Sequence, residues 1–233
     1  MGKLKDSKPE IKRNVIRRIV QLPAAWVFIA LLFFISAGTI KWPFAWLFLA
    51  LLVSVDLIGL PFVPLEVLAE RGSKKENVEN WDKVLGKLIV LSMLSIFLIA
   101  GLDYRWNWSQ GIDSRLHLAS IAVFILGCAL EIWAMRVNLF FSDVVRIQFD
   151  REHKVCSSGP YKYVRHPGYL GIIVYYLATP LLLGSWWAMI PALMTMTLFV
   201  IRTKLEDETL LKKLPGYEEY ALQTKYRLIP WVW

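Results

Sequence analysis

Leu85-Gly86-Lys87-Leu88-Ile89-Val90-Leu91-Ser92-Met93-Leu94-Ser95-Ile96-Phe97-Leu98-Ile99-Ala100-Gly101-Leu102 carries one charge, at Lys87, and none in the 15 residues that follow. A soluble helix needs a polar face, and this stretch offers none. About 20 apolar residues in a helix cross a hydrocarbon core of about 30 Å, so the segment reads as a membrane span. Three further runs, at 22–40, 43–63 and 116–137, have the same character. A last apolar region, 170–201, is broken by Gly184-Ser185-Trp186-Trp187 into pieces at 170–183 and 186–201. Each piece is short for a span, which suggests a thin or partly re-entrant helical hairpin. The expected fold is therefore all-α: a polytopic membrane helical bundle of four full spans plus a C-terminal helical hairpin.

Composition agrees. Of 233 residues, 56% are hydrophobic and 20% charged, against roughly 45–50% and about 25% in soluble domains. A soluble globular enzyme, a disordered chain and a disulfide scaffold are all poor fits. Cys128 lies within an apolar run and Cys156 in a polar loop, so the two would sit at different depths and both read as free thiols.

The net charge of +8 raises the question of a nucleic-acid partner, but its distribution answers it. With the N-terminus in the cytoplasm, the inner segments are 1–21, 64–87, 136–167 and 202–233, and they hold 24 of the 27 Lys and Arg residues. Only Lys41, Arg105 and Arg115 fall outside. That asymmetry follows the positive-inside rule and sets both termini in the cytoplasm. The basic charge is topology, and no nucleic acid is implied. Trp42, Trp106, Trp108, Trp186 and Trp187 fall at the outer ends, where amphipathic rings favour the interface. The first apolar run, at 19 residues, is longer than the roughly 7–15 of a signal-peptide core and has no clear A-x-A site, so it reads as a retained span. Residues 1–137 thus form the N-terminal membrane spans. Residues 138–233 form the region able to carry chemistry on the cytoplasmic face, with the hairpin and a cytoplasmic C-terminal segment.

The most informative polar stretch is Ser157-Ser158-Gly159-Pro160-Tyr161-Lys162-Tyr163-Val164-Arg165-His166-Pro167-Gly168-Tyr169-Leu170-Gly171. Pro167 pushes His166 toward extended backbone and suits the first turn of a helix, so a helix begins there at the inner membrane surface. Its free N–H groups make an anion site to which Arg165 and His166 could add donors, and Gly168 and Gly171 permit a close approach to the backbone. The plain alternative is a turn flanking a membrane helix, with Arg165 an ordinary inner-surface charge. A second cluster, Arg202-Thr203-Lys204-Leu205-Glu206-Asp207-Glu208, lies where the last apolar helix leaves the membrane. Arg202 and Glu206 share a helical face, and the plain reading is a surface ion pair of about 0.3–0.5 kcal/mol. A hairpin returns its exit to its entry, however, which would make His166 and Glu206 neighbours at one inner-surface site.

These residues resemble the membrane-embedded methyltransferases related to isoprenylcysteine carboxyl methyltransferase, a group that includes phospholipid methyltransferase-like members. The resemblance rests on Gly159-Pro160-Tyr161 leading to Arg165 through Gly171, then Arg202 with Glu206-Asp207, Leu210, Gly216-Tyr217, Tyr220 and Arg227-Leu228-Ile229-Pro230. It covers about the last 100 residues. It implies S-adenosyl-L-methionine as cofactor, held by a strand-like stretch containing Gln148, His153, Lys154, Val155 and Cys156, by Tyr161, by His166-Pro167-Gly168-Tyr169 and by Glu206. It also implies that Arg202 binds the substrate carboxylate, so Arg202 and Glu206 are the catalytic candidates. Two departures stand out: the spacing from Gln148 to His153 is short, and Asp207 replaces a usual second glutamate.

Other chemistry fits less well. His153, Cys156 and His166 could ligate a metal, but a fourth ligand is missing, so no metal is expected. There is no GxGxxG, P-loop or GxSxG, which excludes a soluble Rossmann-type methyltransferase. Asp56 and Glu131 lie in apolar runs, where ionisable groups are costly; structural pairing is the simpler account for both. Arg136 is at an imperfect five-residue spacing from Glu131, however, and Asp56 has no obvious local partner, which leaves it to line a polar cavity, accept from Trp or Tyr donors, or be protonated. The partners implied are the lipid bilayer and a lipophilic or prenylated substrate. A carboxylate acceptor is already ionised at pH 7 and needs a cation such as Arg202 to hold it. A lipid amine would instead need a base such as Glu206 or Asp207. The leading expectation is a methyltransferase acting on the carboxylate of an isoprenylcysteine-like lipophilic substrate. A lipid amine N-methyltransferase and a non-catalytic membrane protein retaining the fold are the alternatives.

Overall fold

The computed structural model describes residues 8–109 and 112–233. Residues 1–7 of the basic N-terminal stretch and 110–111 of the 103–115 loop lie outside them. Among the described residues there are no strands, and the α-helices are α1 (Lys8–Ala37), α2 (Pro43–Gly59), α3 (Leu65–Gly72), α4 (Asn80–Trp106), α5 (Ser114–Val137), α6 (Pro167–Leu183), α7 (Met189–Lys213) and α8 (Tyr217–Gln223). Local chemistry sets the ends. Pro43 and Pro167 occupy the first turns of α2 and α6, where a missing N–H costs nothing. Asn107 and Gly184 close α4 and α6 in the left-handed conformation, at φ 52° and 81°.

Among the described residues, four helices are long and apolar enough to cross a membrane: α1, α2 with its 3₁₀ extension to Phe62, α4 and α5. α6 is apolar but shorter, at 17 residues. Large side chains such as Val27, Phe28, Leu31 and Ile35 on α1 and Leu118 and Leu126 on α5 face outward. Apolar surface of that extent is stable only against lipid or a partner. α7 runs 12 residues beyond Ile201 as one helix, so Arg202, Glu206 and Asp207 are carried rigidly by the element that packs on α6.

Within the bundle, Phe33 sits edge-on to Trp42, Phe48 and Phe97 at 5.3–5.5 Å, joining α1, α2 and α4. Ser92 and Thr195 share a hydrogen bond of 2.9 Å between α4 and α7. α5 and α6 meet backbone to backbone, because a Cβ on Gly127 would lie 2.8 Å from the Gly171 carbonyl and one on Gly171 would lie 2.6 Å from that of Gly127. Small residues permit this closeness where lipid supplies no hydrophobic drive between helices. At the other end of α4, Asp103 accepts hydrogen bonds from Ser109 and from Ser185, which pins the residues connecting α6 to α7 against the end of α4.

The 138–166 segment between α5 and α6 is irregular. The strand-like stretch expected around 148–156 is instead coil with one 3₁₀ turn at Phe149–Arg151. It is held to α3 by Glu70, which accepts from Arg146 at 2.9 and 3.2 Å and from Ser142 at 2.9 Å. Burial alone would raise the Glu70 carboxyl, but the Arg146 hydrogen bonds and the charges of Lys75 and Arg146 outweigh it and hold it at about 2.

Candidate active site

Gln148, His153, Lys154, Val155, Cys156, Tyr161, His166, Gly168, Tyr169 and Glu206 line one cavity, which holds about 760 Å³ of open space including its mouth. Ligand pockets run to roughly 300–1,000 Å³. Two expected residues stand apart. Pro167 is buried in the first turn of α6 and shapes the wall without lining it, and Arg202 lines a neighbouring groove.

Asp207 anchors the cavity's floor. It is fully buried and accepts from Arg165 Nε and Nη2 (2.8 and 2.9 Å), Tyr217 Oη (2.8 Å) and Arg227 Nε (2.8 Å), with His166 Nε2 at 3.4 Å. A buried carboxylate is tolerated only when paired and hydrogen-bonded in this way. Burial pushes its pKa up, but His166, Arg165 and Tyr217 together hold it well below the usual carboxylate range. Arg165 is therefore no ordinary inner-surface charge. Its other terminal nitrogen reaches the carbonyls of Ala221, Thr224 and Lys225, and the Arg165 and His166 N–H groups donate to the Tyr226 and Arg227 carbonyls at 2.9 Å. These contacts fold the C-terminal segment under the start of α6.

Above that floor, Tyr169 Oη donates to Glu206 Oε2 at 2.5 Å, and its ring stacks with His166 at 5.8 Å. His166 and Glu206 are thus brought to one site. Phe141 packs on Gly168, where a Cβ would lie 2.5 Å from Cε2 of the ring. Gln148 is braced at both ends of its amide, donating to the Phe140 carbonyl and accepting from Arg151, each at 2.7 Å. The Gln148 N–H points at His153 Nδ1 (3.4 Å), which leaves the ring's proton on Nε2. Burial, with Arg146 and Arg151 nearby, lowers His153 to about 4, so it is neutral at pH 7. Tyr161 accepts from Asn138 at 3.1 Å, and burial raises its phenol well above the usual range. Cys156 and Cys128 are free thiols.

Arg202 does not pair with Glu206. Its Nε and Nη2 donate to the two Asp82 oxygens at 2.8 and 3.1 Å, and Nη2 also donates to the Asp143 carbonyl at 2.7 Å. Both partners of this ion pair are buried. The guanidinium lies 5.3 Å from the Tyr169 ring centroid, at an apolar groove walled by Ile89 and Met93 of α4, Ile172 of α6 and Phe199 of α7. Tyr169 borders both the groove and the cavity. Glu131 pairs with Arg71 (3.6 Å) in place of Arg136, whose guanidinium lies over the Phe62 ring at 5.8 Å, and Asp56 accepts from Trp26 Nε1 at 2.8 Å.

Asp82 and the hub role of Asp207 are the residues that sequence reasoning missed. Asp82 stands alone before an apolar run with no motif around it. The replacement of a usual glutamate by Asp207 was the one available signal at that position. Among the described residues no group of three His, Cys, Asp or Glu side chains is placed to hold a metal ion.

Comparison with known proteins adds to this geometry. Residues 120–212 match the Isoprenylcysteine carboxyl methyltransferase (ICMT) family. Proteins of Oryza sativa subsp. indica and japonica, each named probable protein-S-isoprenylcysteine O-methyltransferase, are 26% identical over 165 residues, covering 66% of this chain and 83% of theirs. A Schizosaccharomyces pombe protein-S-isoprenylcysteine O-methyltransferase is 30% identical over 112 residues, 47% of this chain and 48% of its own length.

Proposed function

We propose that the chain is an isoprenylcysteine carboxyl methyltransferase-like membrane enzyme and that it methylates the carboxylate of a lipophilic, isoprenylcysteine-like acid using S-adenosyl-L-methionine. One observation carries the reading: a polar cavity containing His166 and Glu206 adjoins an apolar groove containing Arg202, with Tyr169 in the wall of both.

When bound, S-adenosyl-L-methionine supplies an electrophilic methyl group on a sulfonium cation. The cavity suits such a ligand. Glu206 is a carboxylate that borders the cavity with no cationic partner among the described residues, so it can counter the charge of a bound cation. Gln148, His153, Lys154, Val155, Cys156, Tyr161, His166, Gly168 and Tyr169 would surround the nucleoside and amino-acid portions, and Pro167 would fix the helix start that presents them. The acceptor's carboxylate needs no base at pH 7; it needs to be held against the cavity, which is the role assigned to Arg202. Both act chiefly by positioning, the main help an in-line transfer needs. The distribution of basic residues supports a cytoplasmic cavity and cytoplasmic termini, with α6 and the apolar part of α7 acting as a membrane hairpin, so that the lipid tail would enter sideways through the groove.

Purified protein incubated with methyl-labelled S-adenosyl-L-methionine, N-acetyl-S-farnesylcysteine and a phospholipid panel tests this. Base-labile label in the prenylcysteine is expected. Base-stable label in an amine lipid would transfer the reading to a lipid amine methyltransferase, and no label with no S-adenosylhomocysteine binding would reject enzyme activity of either kind.

A further inference from the structure

Arg202 has five N–H groups. Three are engaged: Nε–H and one Nη2–H by the Asp82 carboxylate, and the other Nη2–H by the Asp143 carbonyl. Asp82 is itself fixed, since it also accepts the Val145 N–H at 2.7 Å and is 2% exposed. The planar fork that would grip both oxygens of a carboxylate is therefore already occupied. Nη1 alone makes no hydrogen bond among the described residues, and Arg202 borders the groove.

Resting on the carboxylate reading above, we propose that Asp82 is a positioning residue that limits Arg202 to one-point, Nη1-only recognition of the acceptor carboxylate. The consequence is chemical. A carboxylate gripped by a fork has lone pairs on both oxygens tied to donors and its charge fully countered, which suits binding and opposes attack. Held by Nη1 alone, it keeps its second oxygen unligated. That oxygen's lone pair forms the new bond to the methyl carbon while the carbon–sulfur bond breaks toward sulfur. Carboxylate and sulfonium charges cancel, leaving a neutral ester and a neutral thioether, and no proton moves. Asp82 also partly neutralises Arg202, so that the acid is bound weakly enough to react, and it holds the guanidinium over Tyr169 and away from Glu206, which would otherwise compete for it one turn along α7. Interactions that stabilise the bound acid more than its transition state slow the reaction.

Two variants and two readouts test this: Asp82→Asn and Asp82→Glu, each measured for binding of N-acetyl-S-farnesylcysteine and its methyl ester without methyl donor, and for kcat with it. In Asp82→Asn the fork is released. The acid should bind about threefold or more tighter while kcat falls about tenfold, each tenfold being about 1.4 kcal/mol. Binding of the ester and of S-adenosylhomocysteine should stay within twofold. Asp82→Glu, which keeps the charge, should recover most of kcat and weaken the acid again. If Asp82→Asn instead weakens acid, ester and S-adenosylhomocysteine together, or leaves kcat within twofold, the proposal fails while the carboxylate reading stands. A Asp82→Asn protein that does not fold, joined with a Asp82→Glu protein that folds but has lost acid binding, likewise overturns it. A wild-type protein that binds neither acid nor S-adenosylhomocysteine rejects the parent reading.

Discussion

Arg202 donates to Asp82, 120 residues away on another helix, although Glu206 lies one turn along its own. The pairing leaves Glu206 to the Tyr169 hydroxyl and divides the acidic residues of this face into two classes. Asp82 and Asp207 are buried and fully paired; Glu206 is half-buried and borders the cavity.

That division predicts opposite outcomes for adjacent carboxylates. Asp207→Ala strands Arg165 and Arg227, and removing one partner of a buried pair costs about 3–5 kcal/mol. Thermal melting in detergent should fall by roughly 10 °C. Glu206→Gln should leave the melting temperature within about 2 °C and weaken S-adenosyl-L-methionine by about tenfold, the effect of losing one charge-assisted contact. A drop in melting temperature for Glu206→Gln matching that of Asp207→Ala would contradict the assignment.

Tyr169→Phe keeps the stacking on His166 and loses only the hydroxyl held by Glu206. Methyl-donor affinity should fall about three- to tenfold, in line with a net 0.5–1.5 kcal/mol for one hydrogen bond, with folding intact. Isothermal titration with S-adenosylhomocysteine reads this directly, and an unchanged Kd would show that the hydroxyl does not organise Glu206.

Gly171→Ala should be far more damaging than Gly168→Ala. A Cβ on Gly171 meets the Gly127 carbonyl and the Glu131 N–H, both backbone, at 2.6 and 2.8 Å, so α5 and α6 must separate. On Gly168 the obstacle is the Phe141 ring, which can rotate. Overpacking costs about 1–3 kcal/mol where neighbours yield and more where they cannot. Gly168→Ala should fold, with weaker donor binding, because Phe141 borders the cavity; yield and melting temperature of the two variants make the comparison.

Stability should decline between pH 6.5 and 4. His153 titrates at about 4 in the folded chain against 6.5 ordinarily, so within that window the unfolded chain binds a proton the folded chain refuses. The contribution is complete above pH 6.5 and shrinks as pH falls, by at most about 1.4 kcal/mol per pH unit. His153→Phe should flatten the melting curve across this window. Glu70, lowered from 4.5 to about 2, acts in a separate window: its contribution is complete above pH 4.5 and is lost toward pH 2, and Glu70→Gln should change only that part.

Most of the helix starts and membrane segments could be read directly from residues. Pro43 and Pro167 begin helices because proline lacks the N–H that a first turn leaves unpaired, and uninterrupted apolar runs mark spans because each is long enough for a bilayer. The approach of His166 to Glu206 was also legible, since two apolar pieces joined by a short break at Gly184-Ser185 pack against each other and bring the start of α6 near the far part of α7. The irregular 148–156 segment was not, because its form is imposed by Glu70, Arg146 and Gln148 through contacts that no local periodicity encodes. The partners of the buried charges were hidden for the same reason: Asp82 and Arg202, and Glu131 and Arg71, are joined across helices, and Asp207 of α7 is joined to Arg165 in the segment before α6.

The amino-acid sequence by itself determined which segments leave water, which ends carry positive charge and which polar clusters flank the last apolar pair, because those follow from solvation and backbone chemistry of neighbouring residues. Only the tertiary structure decided which carboxylate each arginine takes. Burying a charge is costly unless a counter-charge meets it in the right direction, and that direction is set by how α4, α5, α6 and α7 cross.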